Sequence, residues 1–253
     1  MKVQGFVKGL ARLGCVVAAL TLTPYSHAGD FVDSCERMYV GDMCKMAINN
    51  LEATQFAVGM RIVDRRYGKL LKMSHDELRD YLMDHPVPVV LAPDGRYYMT
   101  DRHHQTLAAL RVGRENVFAA LLHDFSKLPN MTTFWKRMKK KELVYLFDEN
   151  GKGPHEPADL PKHVRYLKDD PYRSLADDVQ AEGGYLKKPV PFQEFYWAQF
   201  FRARVKIGSG EDGYWKSVKN AARLAKTSAA VGLPGYAGPR KKGGREDCSA
   251  RLL

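Results

Sequence analysis

The residues best suited to chemistry are Asp101, Arg102, His103 and His104, four polar residues in a row. The sequence predicts that they lie where a strand ends and a helix begins, with Asp101 as the helix cap. A helix N-terminus carries unpaired backbone N–H groups and about half a positive charge, so it favours an anion. The guanidinium of Arg102 can bind two phosphate oxygens, and the imidazoles add contacts. The segment predicts a phosphate site; a plain helix cap with one packed histidine is the alternative.

His103 and His104 do not have the spacing of a metal site. Consecutive helical residues point about 100° apart, whereas two-histidine metal sites on a helix use i, i+4 spacing. We therefore treat both histidines as candidate phosphate contacts and candidate catalytic residues.

A second group of candidates surrounds the start of a later helix, at Asp169, Asp170 and Arg173. Asp170 followed by Pro171 is typical of a helix N-cap with proline at the first helical position, and we favour this interpretation. Alternatively, the two carboxylates could hold Mg²⁺ or another divalent cation, and Arg173 could contact a phosphoryl group.

Glu194 lies in a segment rich in aromatic residues at helical spacing. These residues predict a helix that packs mostly into the core. A carboxylate in such surroundings could have a raised pKa and act as a base, although an ion pair with an arginine is the commoner outcome.

The elements predicted to position residues 101–104 form a compact α/β unit. We predict a helix over 33–50 interrupted near Gly41, a turn at 51–55 and a strand at 58–63. A capping box at Ser74 and Glu77 opens a helix that ends near Asp84. Strands at 89–91 and 97–99 flank the turn at 93–95, and a helix from 101 to 113 and a strand at 116–122 follow.

Helices dominate the sequence after Pro129, over residues 132–141, 170–182, 191–205 and 213–230. The predicted fold class is α+β. A small mixed α/β domain at 29–128 carries a helical extension at 129–238, and a basic, disordered tail spans 239–253.

The first 28 residues have the pattern of a secretory signal peptide. Basic residues Lys2, Lys8 and Arg12 precede a short apolar run at 15–22, and small residues at Ser26 and Ala28 suit a signal peptidase. The run is too short to span a bilayer, so we expect a secreted or periplasmic protein without stable membrane insertion after cleavage. In that oxidising setting Cys35 and Cys44 predict a disulfide rather than a metal pair.

The formal net charge of +11 suggests nucleic acid, but its location weakens that interpretation. Three of the excess positive charges lie within residues 1–28 and three within 240–253. Much of the remainder lies in the run 136–141, which helical spacing spreads around most of a turn. A solvated helix face is favoured over a track for a phosphate backbone.

Residues 97–110 resemble the signature of the ParB/sulfiredoxin superfamily, in which a hairpin leads into a His- and Arg-rich helix start. The similarity is greater to the family of ParB-like nucleases. Other hallmarks of that family have counterparts in this chain at 54–59, 87–90, 93–95, 134–135, 169–176, 194–198 and 233–236. Together they cover nearly everything from residue 51 to 238.

This resemblance implies a phosphate held at the helix N-terminus by Arg102, His103 and His104, with Gln55 and Thr54 lining the same cleft. It implies a nuclease or phosphotransferase acting on a nucleotide or nucleic acid. A non-catalytic binding protein for an anionic ligand is the alternative. The superfamily's sulfur-repair members need a cysteine in the motif, and this chain has none between Cys44 and Cys248.

Overall fold

The computed structural model describes residues 30–239. The predicted signal peptide (1–28) and residues 240–253 of the predicted tail lie outside this range.

A mixed six-stranded sheet forms the centre of the first half of the chain, in the order β1-β2-β7-β5-β6-β3, and a separate two-stranded sheet joins β4 to β8. The strands are β1 (Phe31–Val32), β2 (Met43–Ala47), β3 (Leu51–Glu52), β4 (Ala57–Val58), β5 (Val87–Leu91), β6 (Tyr97–Met99), β7 (Asn116–Asp124) and β8 (Lys168–Asp169). In the six-stranded sheet β5 pairs in parallel with β7 and antiparallel with β6.

Seven α-helices surround these sheets in the described part of the chain. They are α1 (Met60–Leu70), α2 (His75–Asp84), α3 (His103–Arg111), α4 (Met131–Lys140), α5 (Pro171–Ala181), α6 (Gln193–Arg202) and α7 (Gly210–Leu224). The predicted α+β class is therefore confirmed. Within residues 30–239 no helix is both long and apolar enough to cross a membrane.

The local signals for α2 and for the β5–β6 hairpin are confirmed. The Ser74 hydroxyl accepts the Glu77 N–H at 3.3 Å, and the Glu77 carboxylate accepts the Ser74 N–H at 2.7 Å, which completes the capping box. Gly95 has a φ of 77° in the turn between β5 and β6, a conformation that suits glycine. The end of β6 then delivers residues 100–104 to the start of α3.

The prediction of a helix over 33–50 was wrong. This segment contains short 3₁₀ turns at Cys35–Arg37 and Ile48–Asn50 on either side of β2. Cys44 and Met46 point into the core, and Cys44 pairs with Ala119 of β7. The partner strand lies more than seventy positions away, so spacing within the segment could not reveal it. The predicted Cys35–Cys44 disulfide is present.

The prediction of a strand at 58–63 was also wrong beyond Val58. Residues from Met60 onward form α1, which buries Ile62, Val63 and Leu70 and packs mainly on α3 and α5. The alternation of apolar residues with Gly59 and Arg61 resembles a strand over six residues. Over eleven residues the apolar positions recur at helical intervals.

The helical segments after residue 129 pack onto the α/β part. Helices α5, α6 and α7 share a core with the buried Trp197 and Phe201 near its centre. Phe134 and Met138 of α4 pack with Tyr98 of the hairpin. Strand β8 pairs with β4, and it brings the start of α5 next to the segment that precedes α1.

Candidate functional site

A cavity of about 400 Å³ lies where the starts of α3 and α6 face each other. Its polar lining comes from separate parts of the chain: Gln55 before β4, residues at the β6–α3 junction, Arg173 of α5, and residues around the start of α6. The charged and polar residues that line it are Gln55, Thr100, Asp101, His103, His104, Glu142, Arg173, Lys187 and Glu194.

Helix α3 begins without a side-chain cap. Its N-cap residue is Arg102, which has left-handed backbone angles of φ 63° and ψ 23°. The prediction that Asp101 caps this helix was wrong, because its carboxylate instead accepts the N–H of the adjacent Arg102 at 2.6 Å. The N–H groups of the first turn are thus left without a side-chain acceptor.

Helix α6 begins in the same way. Phe192 is its N-cap, with φ 57° and ψ 23° and no side-chain cap. Two of its early N–H groups, those of Gln193 and Phe195, already bond to the backbone oxygens of Val190 and Phe192. The start of α6 therefore adds mainly the positive end of its dipole to the cavity, whereas α3 adds both its dipole and its donors.

His103 and His104 hold the segment that carries Gln55. Nε2 of His103 accepts the backbone N–H of Thr54 at 3.2 Å, and Nε2 of His104 accepts that of Gly59 at 3.0 Å. The two imidazoles thus fix both ends of residues 54–59. An accepting Nε2 places the proton of a neutral imidazole on Nδ1.

Both imidazoles are neutral at physiological pH. Burial lowers the pKa of His103 to about 4, with the charge of Asp101 acting in the opposite sense. Burial, together with the positive charges of Arg173 and Arg66, lowers the pKa of His104 well below its ordinary value. Neither Nε2 is free to take a proton, so these histidines position the cavity wall and offer Nδ1–H donors.

Arg173 is the buried cation of the site. Only 9% of it is exposed, and its Nε and Nη1 have no hydrogen-bond partner. The nearest carboxylates lie beyond hydrogen-bond distance: Nη1 is 3.6 Å from Asp177, and Nη2 is 3.8 Å from Glu194. The guanidinium lies over the ring of Phe195, 5.4 Å from its centroid. Unsatisfied donors on a buried cation are costly, so this group is suited to an anionic ligand.

Glu194 does not have the raised pKa that we considered from the sequence. Burial acts to raise the pKa of its carboxyl, but Arg173 and Lys187 outweigh burial and the pKa is lowered. Lys187 donates directly to the carboxylate. Glu194 is thus held in an ion pair, as the commoner outcome requires, but its direct partner is Lys187, and Arg173 lies farther away at 3.8 Å.

Arg102 and Thr54 do not line this cavity. The Arg102 guanidinium donates to the Gln105 side chain at 3.3 Å and lines a neighbouring cavity of about 240 Å³. Thr54 is 2% exposed, and its hydroxyl donates to the Met99 carbonyl at 2.6 Å. The left-handed conformation of Arg102 directs its side chain away from the other candidates, and no sequence pattern indicated that conformation.

Asp169 and Asp170 face different partners. Asp169 accepts the N–H of Met60 at 2.8 Å. Asp170 caps α5 through the N–H groups of Tyr172 and Arg173, and it pairs with Arg202 at 2.7 Å. These contacts support the helix-cap interpretation. Across the described range 30–239, no three His, Cys, Asp or Glu residues cluster in a way that could hold a metal ion.

The residues that line the cavity fall within a region that is similar to a known protein family. Residues 44–203, more than half of the chain, match the model of the family described as "Putative ParB-like nuclease". The chain belongs to that family. The resemblance inferred from residues 97–110 is thereby confirmed.

Two solved structures are similar to this member of the ParB-like nuclease family. The crystal structure of protein Atu1540 from Agrobacterium tumefaciens is 38% identical, covers 78% of this chain and 96% of its own, and superposes with a TM-score of 0.71. The C-terminally truncated chromosome-partitioning protein ParB from Caulobacter crescentus, complexed to the centromeric parS site, is 13% identical. That match covers 73% of this chain and 98% of that one, with a TM-score of 0.25, too low to establish a shared fold. Comparison with curated proteins finds none that matches this chain.

The sequence pointed to Glu194 in the first turn of α6, but it did not point to Lys187 or Phe192 as parts of the site. Lys187 lies in the irregular segment before α6, where no periodicity predicts which side chains meet, and it donates to Glu194 seven positions later. Gln55, His103 and His104 meet in one cavity; Arg173, which the sequence analysis placed in a second group of candidates, joins them there, and Arg102 does not.

Proposed function

We propose that this protein binds a phosphate-containing ligand in the cavity between the starts of α3 and α6. We further propose that it hydrolyses a phosphodiester or transfers a phosphoryl group there. The observation that carries the proposal is Arg173, a nine-tenths buried guanidinium that lines the cavity with two donor atoms unused.

A bound phosphate supplies what Arg173 lacks. Its oxygens can accept from N–H groups of the guanidinium, and each charge-assisted hydrogen bond contributes roughly 1.5–3 kcal/mol. The uncapped N–H groups of α3 and the Nδ1–H groups of the neutral His103 and His104 offer further donors. Lys187, whose side chain is 65% exposed, adds a positive charge at the mouth.

The same geometry limits how catalysis could proceed. A phosphate that engages Arg173 competes with Glu194 for that guanidinium, which weakens the interaction that lowers the Glu194 pKa. Glu194 is therefore our candidate general base toward an attacking water or hydroxyl. The donors around Arg173 would stabilise charge on the phosphoryl oxygens. A divalent cation would rely on ligand oxygens together with single carboxylates such as Asp101 or Glu142.

A non-catalytic binding protein for an anionic ligand is the second candidate. It is favoured by the states of the three candidate catalytic residues: His103 and His104 are neutral acceptors, and Glu194 is held as an ion pair. None of the three is poised near neutral pH for proton transfer in the unliganded protein.

We also propose that the protein is exported. The signal-peptide pattern of residues 1–28 supports this, and the Cys35–Cys44 disulfide is typical of oxidising compartments. Mass spectrometry of material from the producing cell tests it. A mature chain that starts near Gly29 is expected, and an intact Met1 in the mature protein would contradict export.

The binding proposal is tested by calorimetry with inorganic phosphate and with a p-nitrophenyl phosphodiester. Arg173→Gln should weaken the affinity for both probes by about tenfold or more, equivalent to about 1.4 kcal/mol. Arg204→Gln is the matched control, because Arg204 is exposed and lies over Phe200, outside the cavity. Equal affinities of the two variants would contradict the proposal.

Catalysis is tested separately by release of p-nitrophenol, with and without Mg²⁺. Turnover that Glu194→Gln abolishes while phosphate binding persists would support hydrolysis. Binding without turnover under all conditions would leave the non-catalytic candidate.

A further inference from the structure

A second cavity, which we call the aromatic groove, opens beside the phosphate cavity. Its volume is about 340 Å³, within the range typical of small-ligand sites. Four aromatic side chains, Tyr145, Phe147, Phe192 and Tyr196, form much of its lining, and Lys139 and Gln199 are among its polar residues.

The aromatic groove adjoins the phosphate cavity. Glu142 and Phe192 line both. The ring of Tyr145 stacks on Phe195, with centroids 4.0 Å apart and planes 27° apart. Phe195 in turn carries the Arg173 guanidinium over its face, 5.4 Å from the ring centroid. A row of aromatic rings therefore runs from the groove to the buried cation.

Tyr196 exposes its ring while its neighbours on α6 are buried. It is 43% exposed, whereas Trp197 and Phe201 are fully buried in the helical core. Its exposed ring offers a flat apolar face in the groove that adjoins the phosphate cavity.

We propose that the aromatic groove receives the nucleobase of a ligand whose phosphate binds at Arg173, so that the site takes a nucleotide unit rather than phosphate alone. The inference rests on the proposed function, since it places the phosphate in the first cavity. Bases stack on aromatic side chains regardless of sequence, because every base has a π-face.

The positive charge at the rim of the groove is compatible with a nucleotide as its ligand. Lys139 lines the groove from the end of α4, within the basic run 136–141. If the nucleotide unit belongs to a strand, this run lies where the backbone phosphates of adjoining nucleotides can approach it. A strand then gains salt-sensitive affinity that a free mononucleotide lacks.

The experiment compares five probes by calorimetry: a nucleoside 5′-monophosphate, deoxyribose 5-phosphate, inorganic phosphate, the phosphate-free nucleoside and a short single-stranded oligonucleotide. The variants are Tyr196→Ala and, as matched control, Tyr166→Ala. Tyr166 is also exposed, at 61%, and lies outside both cavities.

We expect wild type to bind the mononucleotide at least about fivefold more tightly than deoxyribose 5-phosphate. Tyr196→Ala should remove most of that difference and leave the affinity for inorganic phosphate unchanged, whereas Tyr166→Ala should behave as wild type. Additional affinity for the oligonucleotide that falls with salt would identify a strand as the source of the nucleotide unit.

Three outcomes would overturn the inference. Equal affinities for the mononucleotide and deoxyribose 5-phosphate would show that the groove does not bind the base, although phosphate could still bind at Arg173. A Tyr196→Ala variant that weakens all phosphate probes equally would show that the residue supports the cavity and does not stack a base. If no phosphate probe binds wild type, the proposed function fails and the inference fails with it, whereas binding of the nucleoside alone would keep the groove and reject the phosphate site.

Discussion

The backbone N–H of Gly59 donates a hydrogen bond of 3.0 Å to Nε2 of His104, across 45 positions of the sequence. This contact fixes the end of the 54–59 segment against the start of α3. It requires an unobstructed glycine and, like the contact between His103 and the Thr54 N–H, a neutral imidazole.

Gly59→Ala should destabilise the protein. A methyl group at this position would contact the Ser174 hydroxyl and lie 2.8 Å from the Ser174 backbone nitrogen, so α5 would have to shift. Overpacking of this kind costs roughly 1–3 kcal/mol. Gly68→Ala in α1 is the control, because nothing lies within 4 Å of its added methyl group. It should stabilise the helix by up to about 1 kcal/mol. Urea unfolding of both variants measures the contrast, and equal stabilities would contradict the close approach.

The stability of the protein should fall below about pH 6.5. Burial lowers the pKa of His103 to about 4, while an unfolded histidine titrates near 6.5. Between these values the unfolded chain binds more protons, so its unfolding free energy drops as the pH falls through this window.

His103→Gln keeps an acceptor for the Thr54 N–H but cannot titrate. The loss of stability between pH 7.5 and pH 5 should be smaller in this variant by about 2 kcal/mol. Burial also lowers the pKa values of His104, His123 and His163, so part of the pH dependence will persist. Chemical unfolding at the two pH values provides the comparison, and identical pH dependences would show that His103 is not held neutral.

Arg102→Gly should be more stable than Arg102→Ala, by about 1 kcal/mol. The left-handed conformation at φ 63° is unfavourable for any residue with a Cβ, and both substitutions lose the same hydrogen bond to Gln105. At Arg111, in the last turn of α3, the order should reverse, since alanine is the better helix former there. Thermal unfolding of the four variants measures this.

Neither Arg102 variant should change phosphate affinity by more than about twofold, because the side chain lines the neighbouring cavity. A tenfold loss of phosphate affinity in the Arg102→Gly variant would instead show that Arg102 belongs to the phosphate site.

The parts of the fold that the sequence predicted are those determined within a few residues. The capping box of Ser74 and Glu77, the turn at Gly95 and the cap of Asp170 each satisfy their own hydrogen bonds locally. Strand β2 was missed because only its pairing with β7 makes it a strand. Helix α1 was missed because residues 58–63 alternate as a strand would, and its helical periodicity emerges only over eleven residues.

The same distinction between local signals and long-range packing applies to the residues of the site. The hairpin places residues 101–104 at the start of α3, which local signals in the sequence predict. That Arg173 joins Gln55 and the two histidines in one cavity depends on how α5 packs, which those signals do not contain. The direction of the Arg102 side chain depends on one backbone conformation, and the position of Lys187 depends on how α6 packs. Residue spacing in the sequence predicts neither of these positions.

The most direct test of the central claim is a crystal structure of the protein soaked with a nucleoside 5′-monophosphate. We predict phosphate density about 3 Å from a nitrogen of the Arg173 guanidinium, close to the first N–H groups of α3. Phosphate density confined to the basic run 136–141, with Arg173 still without an anionic partner, would contradict it.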